Sequence, residues 1–313
     1  MRAIAVVSGQ SIHAGDARRE GGGYRSMGLV YLAMHVLPFT VFWNGVTLLE
    51  GALCLVLCLV LMQVRGFCMS AGYHRYLGHR SFKTSRLLQF LFAAGGCTTL
   101  RGGPLWWASL HRHHHRYADT AEDVHSPEKG FWWSYGGWLL SGRYVVTRYD
   151  LVKDLAVYPE LCWLNRWWLV PPALLGLAVF LVGGWNAFAL GFCLSSALLF
   201  HTQAILDSLT HVWGSRRYAT VDTSRNSWLL SFLFLGEGWH NNHHHYQSSS
   251  NQGFFWYEID PTFDVLRVVA WLGVVWELRK PPEHILNSNL AEKGRGTGVG
   301  GNVLMGQKGS SMR

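Results

Sequence analysis

The sequence predicts an all-α integral membrane protein, with four transmembrane helices in two hairpins and a cytoplasmic helical cap that holds a histidine-rich metal site. Three observations support this fold class. Only 15% of the 313 residues are charged, against roughly 25% in soluble domains. Aromatic residues reach 14% and include 16 tryptophans, which collect at membrane interfaces. Apolar runs long enough to cross a bilayer occur in two pairs, and the histidine clusters lie outside them.

The first hairpin follows a polar N-terminal segment. Residues 1–26 are mixed and Gly-rich without a continuous apolar core, so we expect a flexible cytoplasmic segment and no signal peptide. The first two spans are predicted at 28–47 and 51–72, joined by a short turn around Glu50.

The second hairpin comprises spans at 167–182 and 185–206, joined at Gly183-Gly184. The membrane domain as a whole is predicted over 27–286. Residues 287–313 are rich in Gly, Ser and Lys, and this composition predicts a disordered tail.

Basic residues indicate the orientation. Both turns within the hairpins lack Lys and Arg, whereas the N-terminal segment, residues 73–166 and the residues after Asp207 carry nearly all of the basic charge. The positive-inside tendency therefore predicts that the cap and both termini are cytoplasmic. Basic loops beside an anionic membrane also explain the net charge of +8. No Lys/Arg run accompanies a recognition motif, so nucleic acid is not an expected partner.

Four histidine clusters fall in the predicted cap. Their candidate metal ligands are His74, His79, His111, His114, His115, His211, His240, His243 and His244. Positions i, i+3 and i+4 share a helix face, so the H-x-x-H-H sets within 111–115 and 240–244 can each aim three imidazoles at one volume. His74 and His79 are about 140° apart on an ideal helix. They need a helix break between them or serve two different metals.

Nine imidazoles exceed the roughly four ligands that one tetrahedral zinc ion uses. Two metals with four or five nitrogen ligands each fit the number, and imidazole suits zinc, copper, iron and nickel. A zinc hydrolase with Glu237 as the base is one alternative. Oxygen activation by iron fits a membrane-facing site better, because oxidation needs no carbonyl at the reacting carbon.

The remaining histidines carry other expectations. Isolated histidines are predicted to be hydrogen-bonded core residues: His13, His35, His201 and His284. His113 and His245 break the H-x-x-H-H pattern, and we expect them to support the ligands or to be exposed.

Four stretches resemble the membrane-bound fatty acid desaturases, in particular the acyl-CoA Δ9 (stearoyl-CoA-type) branch and its bacterial members. They are HRYLGHRSF, LWWASLHRHHHRYADTAEDVHSP, DSLTHVWG and GEGWHNNHHHY. The similarity covers about Gly28 to Trp276, with the three histidine boxes in order. It implies a di-iron centre on the cytosolic face, held by the nine histidines. It further implies an acyl-CoA desaturase that uses O2 and two external electrons to form a cis double bond, expected at Δ9.

The resemblance also implies partners and a substrate wall. Trp107 matches the family's Trp at the bend of the acyl tunnel. A fatty acyl-CoA or an acyl lipid would be the substrate, and Arg75, Arg80, Lys83 and Arg86 could attract a CoA phosphate or a lipid headgroup or could be ordinary interfacial residues. A separate carrier of the ferredoxin, rubredoxin or cytochrome b5 type would supply electrons through its reductase.

Several alternatives remain at this point. An acyl-lipid desaturase or a lipid hydroxylase would use the same metal site. A membrane metal-binding or transport protein would place its ligands inside the spans. We expect a bacterial inner membrane in preference to the endoplasmic reticulum.

Two departures from the family pattern concern the site. Asp207 stands where much of the family has Asn, and Arg101 where a Gln commonly precedes Gly-x-Pro. Asp207 either touches one iron, directly or through water, or forms an ion pair with Arg216 or Arg217. Arg101 is a candidate for the tunnel wall. Glu237 either caps the following helix or accepts a hydrogen bond from a ligand histidine.

Overall fold

The computed structural model describes residues 6, 7, 10, 11 and 27–291. The predictions for residues 1–26 and for the tail therefore fall almost wholly outside the described residues, as does His13.

Helices dominate the described part of the chain. The α-helices are α1 (Met27–Val36), α2 (Val41–Asn44), α3 (Leu48–Phe67), α4 (Arg86–Cys97), α5 (Pro104–Tyr117), α6 (Trp138–Leu140), α7 (Lys153–Ala156), α8 (Pro159–Arg166), α9 (Val170–Asn186), α10 (Leu194–Ser208), α11 (Trp228–Leu233), α12 (His240–His245), α13 (Pro261–Trp271) and α14 (Glu283–Leu286). Wider π-helical segments span Cys68–Gly78, Trp133–Gly137 and Ala187–Cys193. Short 3-10 turns occur at Leu37–Thr40, Pro127–Lys129, Tyr149–Leu151 and Leu209–His211.

Extended structure is limited to two antiparallel pairs among the described residues. Strand β1 (Val6–Val7) pairs with β2 (Gln10–Ser11). Strand β3 (Lys83–Thr84) pairs with β4 (Val275–Trp276), which joins the residues after the second helical run to the C-terminal part of the described chain.

Three helical runs are long and apolar enough to cross a membrane: Met27–Asn44, Leu48–Gly78 and Val170–His211. In each, only 22% of the most apolar window is buried within the protein. Large side chains such as Leu53, Val56 and Leu59 are exposed on α3. Because contiguous apolar surface of this extent is costly in water, these runs identify a membrane protein.

The first turn differs from the prediction in position. The first run ends at Asn44 and Gly45 adopts φ 78°, so the chain reverses at 45–47 and not around Glu50. Thr47 Oγ1 accepts the Glu50 N–H at 3.2 Å and caps α3. Glu50 therefore belongs to the first helical turn, because a Thr cap satisfies an otherwise unpaired N–H there.

The third run covers both predicted spans of the second hairpin. Gly184 interrupts it with φ 67° and ψ −165°, a conformation that suits glycine. A Cβ on Gly176 would lie 3.1 Å from Phe192 and 3.2 Å from Phe188, so the residues on either side of Gly184 pack against each other. The crossing of the membrane by this run as two separate spans stays a prediction.

The second run continues past its predicted end at residue 72. Its last part, Cys68–Gly78, is π-helical, with hydrogen bonds that close between residues five apart. His74 and His79 consequently approach one face, and their ring centroids lie 5.1 Å apart. His79 comes directly after the last helical residue, Gly78, and has φ −114° and ψ −6°, so the helix ends between the two histidines, as one of the two predicted alternatives requires.

Arg75 ties three distant segments to this π-helical stretch. Its side chain is 1% exposed and donates to Glu237 Oε1 at 2.9 Å, Asp260 Oδ2 at 2.7 Å and the Ser250 carbonyl at 2.7 Å. A buried guanidinium requires such partners, so this residue joins the helical run to the turn before α12 and to the start of α13.

Helix α4 packs closely on the same stretch through Gly96. A Cβ on Gly96 would lie 2.0 Å from the ring of Tyr73, which precedes His74. We expect Gly96→Ala to lower the free energy of unfolding by about 1–3 kcal/mol, because the buried ring has to move. Thermal melting in detergent checks this, with Gly51→Ala as the control, since its Cβ would lie 3.6 Å from Val46 in ordinary contact. Equal melting temperatures for both variants would contradict the packing argument.

Candidate metal centre

Nine histidines meet in two neighbouring groups. The first group is His74, His79, His111, His115 and His243, and the second is His114, His211, His240 and His244. Within each group the potential ligand atoms all lie within 4.8 Å of one another. The nine are the histidines that the sequence predicts as ligands, and the structure brings all of them together.

The structure divides each H-x-x-H-H set between the two groups. On α5, His111 and His115 belong to the first group and His114 to the second. On α12, His243 belongs to the first group, whereas His240 and His244 belong to the second. The expectation that each set aims at one volume is therefore wrong. The third histidine of each helix belongs to the other group, because neighbouring residues such as His114 and His115 point about 100° apart on a helix.

Four of these histidines donate Nδ1–H to a buried carboxylate. The pairs are His74 with Glu237, His114 with Asp123 at 2.9 Å, His211 with Asp119 at 3.0 Å and His244 with Asp222 at 2.9 Å. A carboxylate at Nδ1 fixes the tautomer and orients the ring, so that the Nε2 lone pair is free to bind a metal.

The Nε2 atoms crowd together within both groups. The pairs are His74–His243 at 2.9 Å, His79–His111 at 2.7 Å, His115–His243 at 3.0 Å, His211–His240 at 3.1 Å and His240–His244 at 3.1 Å. Nε2 of His114 is buried and has no hydrogen-bond partner among the described residues. Lone pairs at these separations repel unless something lies between them. A metal ion in each group would accept them, so the donor set fits two metal sites with nitrogen ligands.

The electrostatic environment favours the neutral form of six of the nine imidazoles. Burial, reinforced by neighbouring histidines, holds the pKa far below its usual value at His79, His111, His115, His240 and His243. Burial lowers the pKa of His244 to about 4, although Asp222 opposes the shift. Neutral imidazole is the form that binds metal.

The carboxylates beside the histidines are ionised. Burial alone would raise the pKa of Asp119, but contacts with His211 and Thr223 lower it to about 2. Burial would also raise the pKa values of Asp123, Asp222 and Glu237. Contacts with histidines outweigh burial and hold these pKa values well below their usual range.

Sequence reasoning did not identify three of these four carboxylates. Asp119 and Asp123 lie in the acidic stretch ADTAED that follows α5, and this proximity to a histidine box was the available signal. Asp222 lies in an irregular segment and gave no signal. For Glu237, the structure shows the second of the two predicted roles, since it accepts a hydrogen bond from His74.

A cavity of about 50 Å³ lies against both histidine groups. Its walls include Trp107, Met69 and Leu206 on the apolar side and His125, Gln203 and Asp207 on the polar side. Trp107 stacks on His111 with ring centroids 4.6 Å apart. The predicted substrate residue Trp107 thus lies where a chain could approach the first histidine group.

Asp207 lines the cavity but belongs to neither histidine group. Its Oδ2 accepts a hydrogen bond from Arg101 Nη2 at 2.5 Å. One predicted alternative was an ion pair of Asp207 with Arg216 or Arg217. The ion pair is instead with Arg101. Arg217 instead pairs with Glu258. Arg101 is 2% exposed and stands behind Asp207, outside the cavity wall.

The other histidines give a mixed result. His35 and His201 are hydrogen-bonded to each other at 3.0 Å, as predicted, but both are half-buried and not core residues. His284 is exposed, so the prediction of a core residue is wrong there. His113 contacts the Glu122 carbonyl, and His245 stacks on Tyr218 with centroids 3.8 Å apart.

The chain matches known proteins over most of its length. The family model for fatty acid desaturases matches residues 50–271, which include all nine histidines. The chain is 38% identical over 257 residues to Delta-9 acyl-lipid desaturase 1 of Arabidopsis thaliana, covering 81% of each chain. It is 37% identical to the sn-2 palmitoyl-lipid 9-desaturase of Nostoc sp. (strain 36), over 69% of this chain and 77% of the relative.

Acyl-CoA desaturases are also among the relatives. The chain is 36% identical to the acyl-CoA C20 Delta5-desaturase of Anemone leveillei, over 72% of this chain and 74% of that protein. With its family-model match and its histidine groups, this chain belongs to the fatty acid desaturase family.

Proposed function

We propose that the protein is an iron-dependent membrane desaturase that introduces a cis double bond, expected at Δ9, into a saturated fatty acyl chain. The observation that carries the proposal is the pair of histidine groups, five and four residues, on the wall of one partly apolar cavity. When bound, two irons would use O2, two electrons and two protons to remove two hydrogens from adjacent CH2 groups, with release of two waters. The relatives described above are named as desaturases, which supports desaturation as the reaction.

The residues around the centre position the chain and the ligands. Trp107, Met69 and Leu206 offer an apolar wall against which an acyl segment can lie. Because reactivity at an unactivated carbon depends on which C–H bond is held near the oxidant, this wall would decide the site of reaction. The buried carboxylates hold the imidazoles so that binding a metal requires little rearrangement.

The basic residues considered for a CoA phosphate are all engaged in ion pairs. Arg75 is buried, as described above. The others lie in surface pairs, Arg80 with Asp154 at 2.9 Å, Lys83 with Glu277 at 2.7 Å and Arg86 with Glu160 at 2.7 Å. Each phosphate contact would have to compete with a carboxylate already in place. This observation favours an acyl lipid over an acyl-CoA as the carrier of the chain.

A second small cavity supports a membrane route to the centre. It lies between α3 and α10, with Met62, Gly66 and Leu199 on its wall. It shares Ser70, Gln203, Leu206 and Glu237 with the cavity at the histidines. We propose that the acyl chain enters between these helices, with the histidine face and both termini on the cytoplasmic side of a bacterial inner membrane. A ferredoxin, rubredoxin or cytochrome b5 type carrier with its reductase would supply the electrons.

Protein purified without added metal is expected to contain about two irons per chain, one for each histidine group. His211→Ala should lose about half of the iron and all desaturation, because it removes one of the four ligands of the second group. Elemental analysis and fatty acid analysis of expressing cells check this, with the exposed His284→Ala as the control. Stoichiometric zinc with full activity would contradict iron, and hydroxylated product would favour the hydroxylase alternative.

Asp222→Asn is expected to weaken metal binding by about 10- to 100-fold, the usual effect of losing a partner of a ligand histidine. An amide cannot supply the negative charge at His244 Nδ1, and its NH2 group would favour the wrong tautomer. Chelator competition followed by metal analysis measures the change. Asp150→Asn, in an exposed pair with Arg148, is the matched control. An unchanged chelator midpoint for Asp222→Asn would contradict the role assigned to this carboxylate.

The carrier of the acyl chain can be tested with membranes that contain the protein and its electron donors. We expect labelled palmitoyl or stearoyl chains to become desaturated while esterified in lipid, because no basic residue considered for CoA is free of a carboxylate partner. Lipid and CoA fractions are separated at early times, with His211→Ala membranes as the inactive control. Desaturated acyl-CoA that appears before desaturated lipid would refute the lipid route.

A further inference from the structure

Arg101 and Asp207 are the two positions near the cavity at which the sequence departs from the desaturase pattern. They form an ion pair with each other. Arg101 lies in the turn between α4 and α5, and Asp207 lies near the end of α10. Although 106 residues separate them, Arg101 Nη2 and Asp207 Oδ2 are 2.5 Å apart. The two departures are therefore one structural feature.

The backbone around Arg101 is held in place from both sides. Leu100 and Gly102 have φ values of 64° and 92°, in the left-handed region that a non-glycine residue adopts only when its surroundings enforce it. Tyr31 Oη donates to the Leu100 carbonyl at 2.8 Å, and Tyr73 Oη donates to the Gly102 carbonyl at 2.9 Å. The guanidinium is thus presented from a fixed turn.

Asp207 provides the charge that Arg101 needs. Arg101 is 2% exposed, its Nη1 has no hydrogen-bond partner among the described residues, and its guanidinium carbon lies 5.7 Å from the centre of the Trp138 ring. Asp207 is its carboxylate partner in the part of the chain that the structure describes. An arginine buried in this way depends on that partner, because a lone buried charge is strongly disfavoured.

The pair also fixes how Asp207 meets the cavity. Arg101 occupies Oδ2, while Oδ1 accepts no hydrogen bond from the described residues. The Asp207 side chain is 18% exposed and lies on the cavity wall beside Trp107 and His114. Ser134 Oγ donates to the Asp207 carbonyl at 2.7 Å and holds its backbone.

We propose that Arg101 and Asp207 form one coupled unit in which Arg101 positions the Asp207 carboxylate as a hydrogen-bond acceptor on the cavity wall, outside the ligand set of the metals. Arg101 is a positioning residue that acts through Asp207. The consequence for function rests on the desaturase activity proposed above. By setting the shape and polarity of the cavity wall that Trp107 also lines, the pair influences which carbons of the chain react.

A double-mutant cycle tests the coupling without relying on activity. Arg101→Gln, Asp207→Asn and the double variant are melted in detergent as purified, with the metal content of each sample measured. Each single change should lower the melting temperature by about 6–12 °C, because it leaves a buried charge without its partner. The double variant should recover at least half of the larger loss, since two amides can hydrogen-bond at the same separation. Losses that simply add in the double variant would overturn the proposal.

A matched pair and a metal probe complete the experiment. Arg86→Gln, Glu160→Gln and their combination change a pair whose arginine side chain is 64% exposed, and they should each shift melting by less than about 2 °C. Cobalt(II) titration should give the same stoichiometry and absorption spectrum for the wild type and the Arg101/Asp207 double variant. A changed spectrum would make Asp207 a ligand and would also overturn the proposal.

Product analysis separates this proposal from the proposed function. In active protein, the double variant should change the ratio of double-bond positions or of chain lengths, which a purely structural pair would not change. An unaltered ratio would overturn the role in selectivity. If the wild type shows no desaturation while the melting cycle shows coupling, the proposed function fails and the coupled unit stands.

Discussion

The structure depends on holding nine imidazoles close together, with Nε2 atoms of neighbouring rings facing each other in both groups. Separations of 2.7–3.1 Å between these nitrogens are unfavourable when no cation or proton lies between them. Carboxylates behind the rings, at Nδ1 of His74, His114, His211 and His244, hold the rings in this orientation and favour a cation between them. Much of the remaining architecture brings those carboxylates into place: Asp119 and Asp123 follow α5, Asp222 precedes α11 and Glu237 precedes α12. Loops that look irregular in sequence are therefore fixed by the site.

The charges of this inner layer also have a direct consequence for metal binding. Four ionised carboxylates contribute four negative charges, and two divalent cations would contribute four positive charges. Glu237 additionally contacts Arg75, which Asp260 balances in turn. Neutral imidazole ligands would contribute no negative charge, so the balancing charge would come from residues that do not touch the metal. Such an arrangement would give the metals only imidazole donors while still favouring cations over an empty site.

Features that depend on residues close in sequence could be predicted, whereas features that depend on contacts between distant segments could not. The ligand histidines could be found because their i, i+3, i+4 spacing is local, and the long apolar runs because composition alone marks them. The division of each H-x-x-H-H set between two groups could not, because it depends on where α5 and α12 lie in the fold. The approach of His74 and His79 could be predicted only as one of two alternatives. The α-helical geometry assumed for residues 68–78 gives the wrong periodicity when the segment is π-helical. Asp222 was missed because a single carboxylate in an irregular segment carries no pattern.

The low charge content correctly indicated a membrane protein but was misleading about where the basic residues lie. With 15% charged residues, Arg75 and three basic residues after it were interpreted as contacts for a CoA phosphate or a lipid headgroup or as ordinary interfacial residues, and Arg101 as a candidate for the tunnel wall. Arg75 and Arg101 are instead among the largest fully buried side chains, and each is paired with at least one carboxylate from a distant segment. A membrane protein can keep its charge content low and still place ionic groups inside, provided that they are paired. In this chain the buried pairs connect the ends of the apolar runs to segments that follow or precede them, so the same charges that hold the fold together also define the polar wall of the cavity.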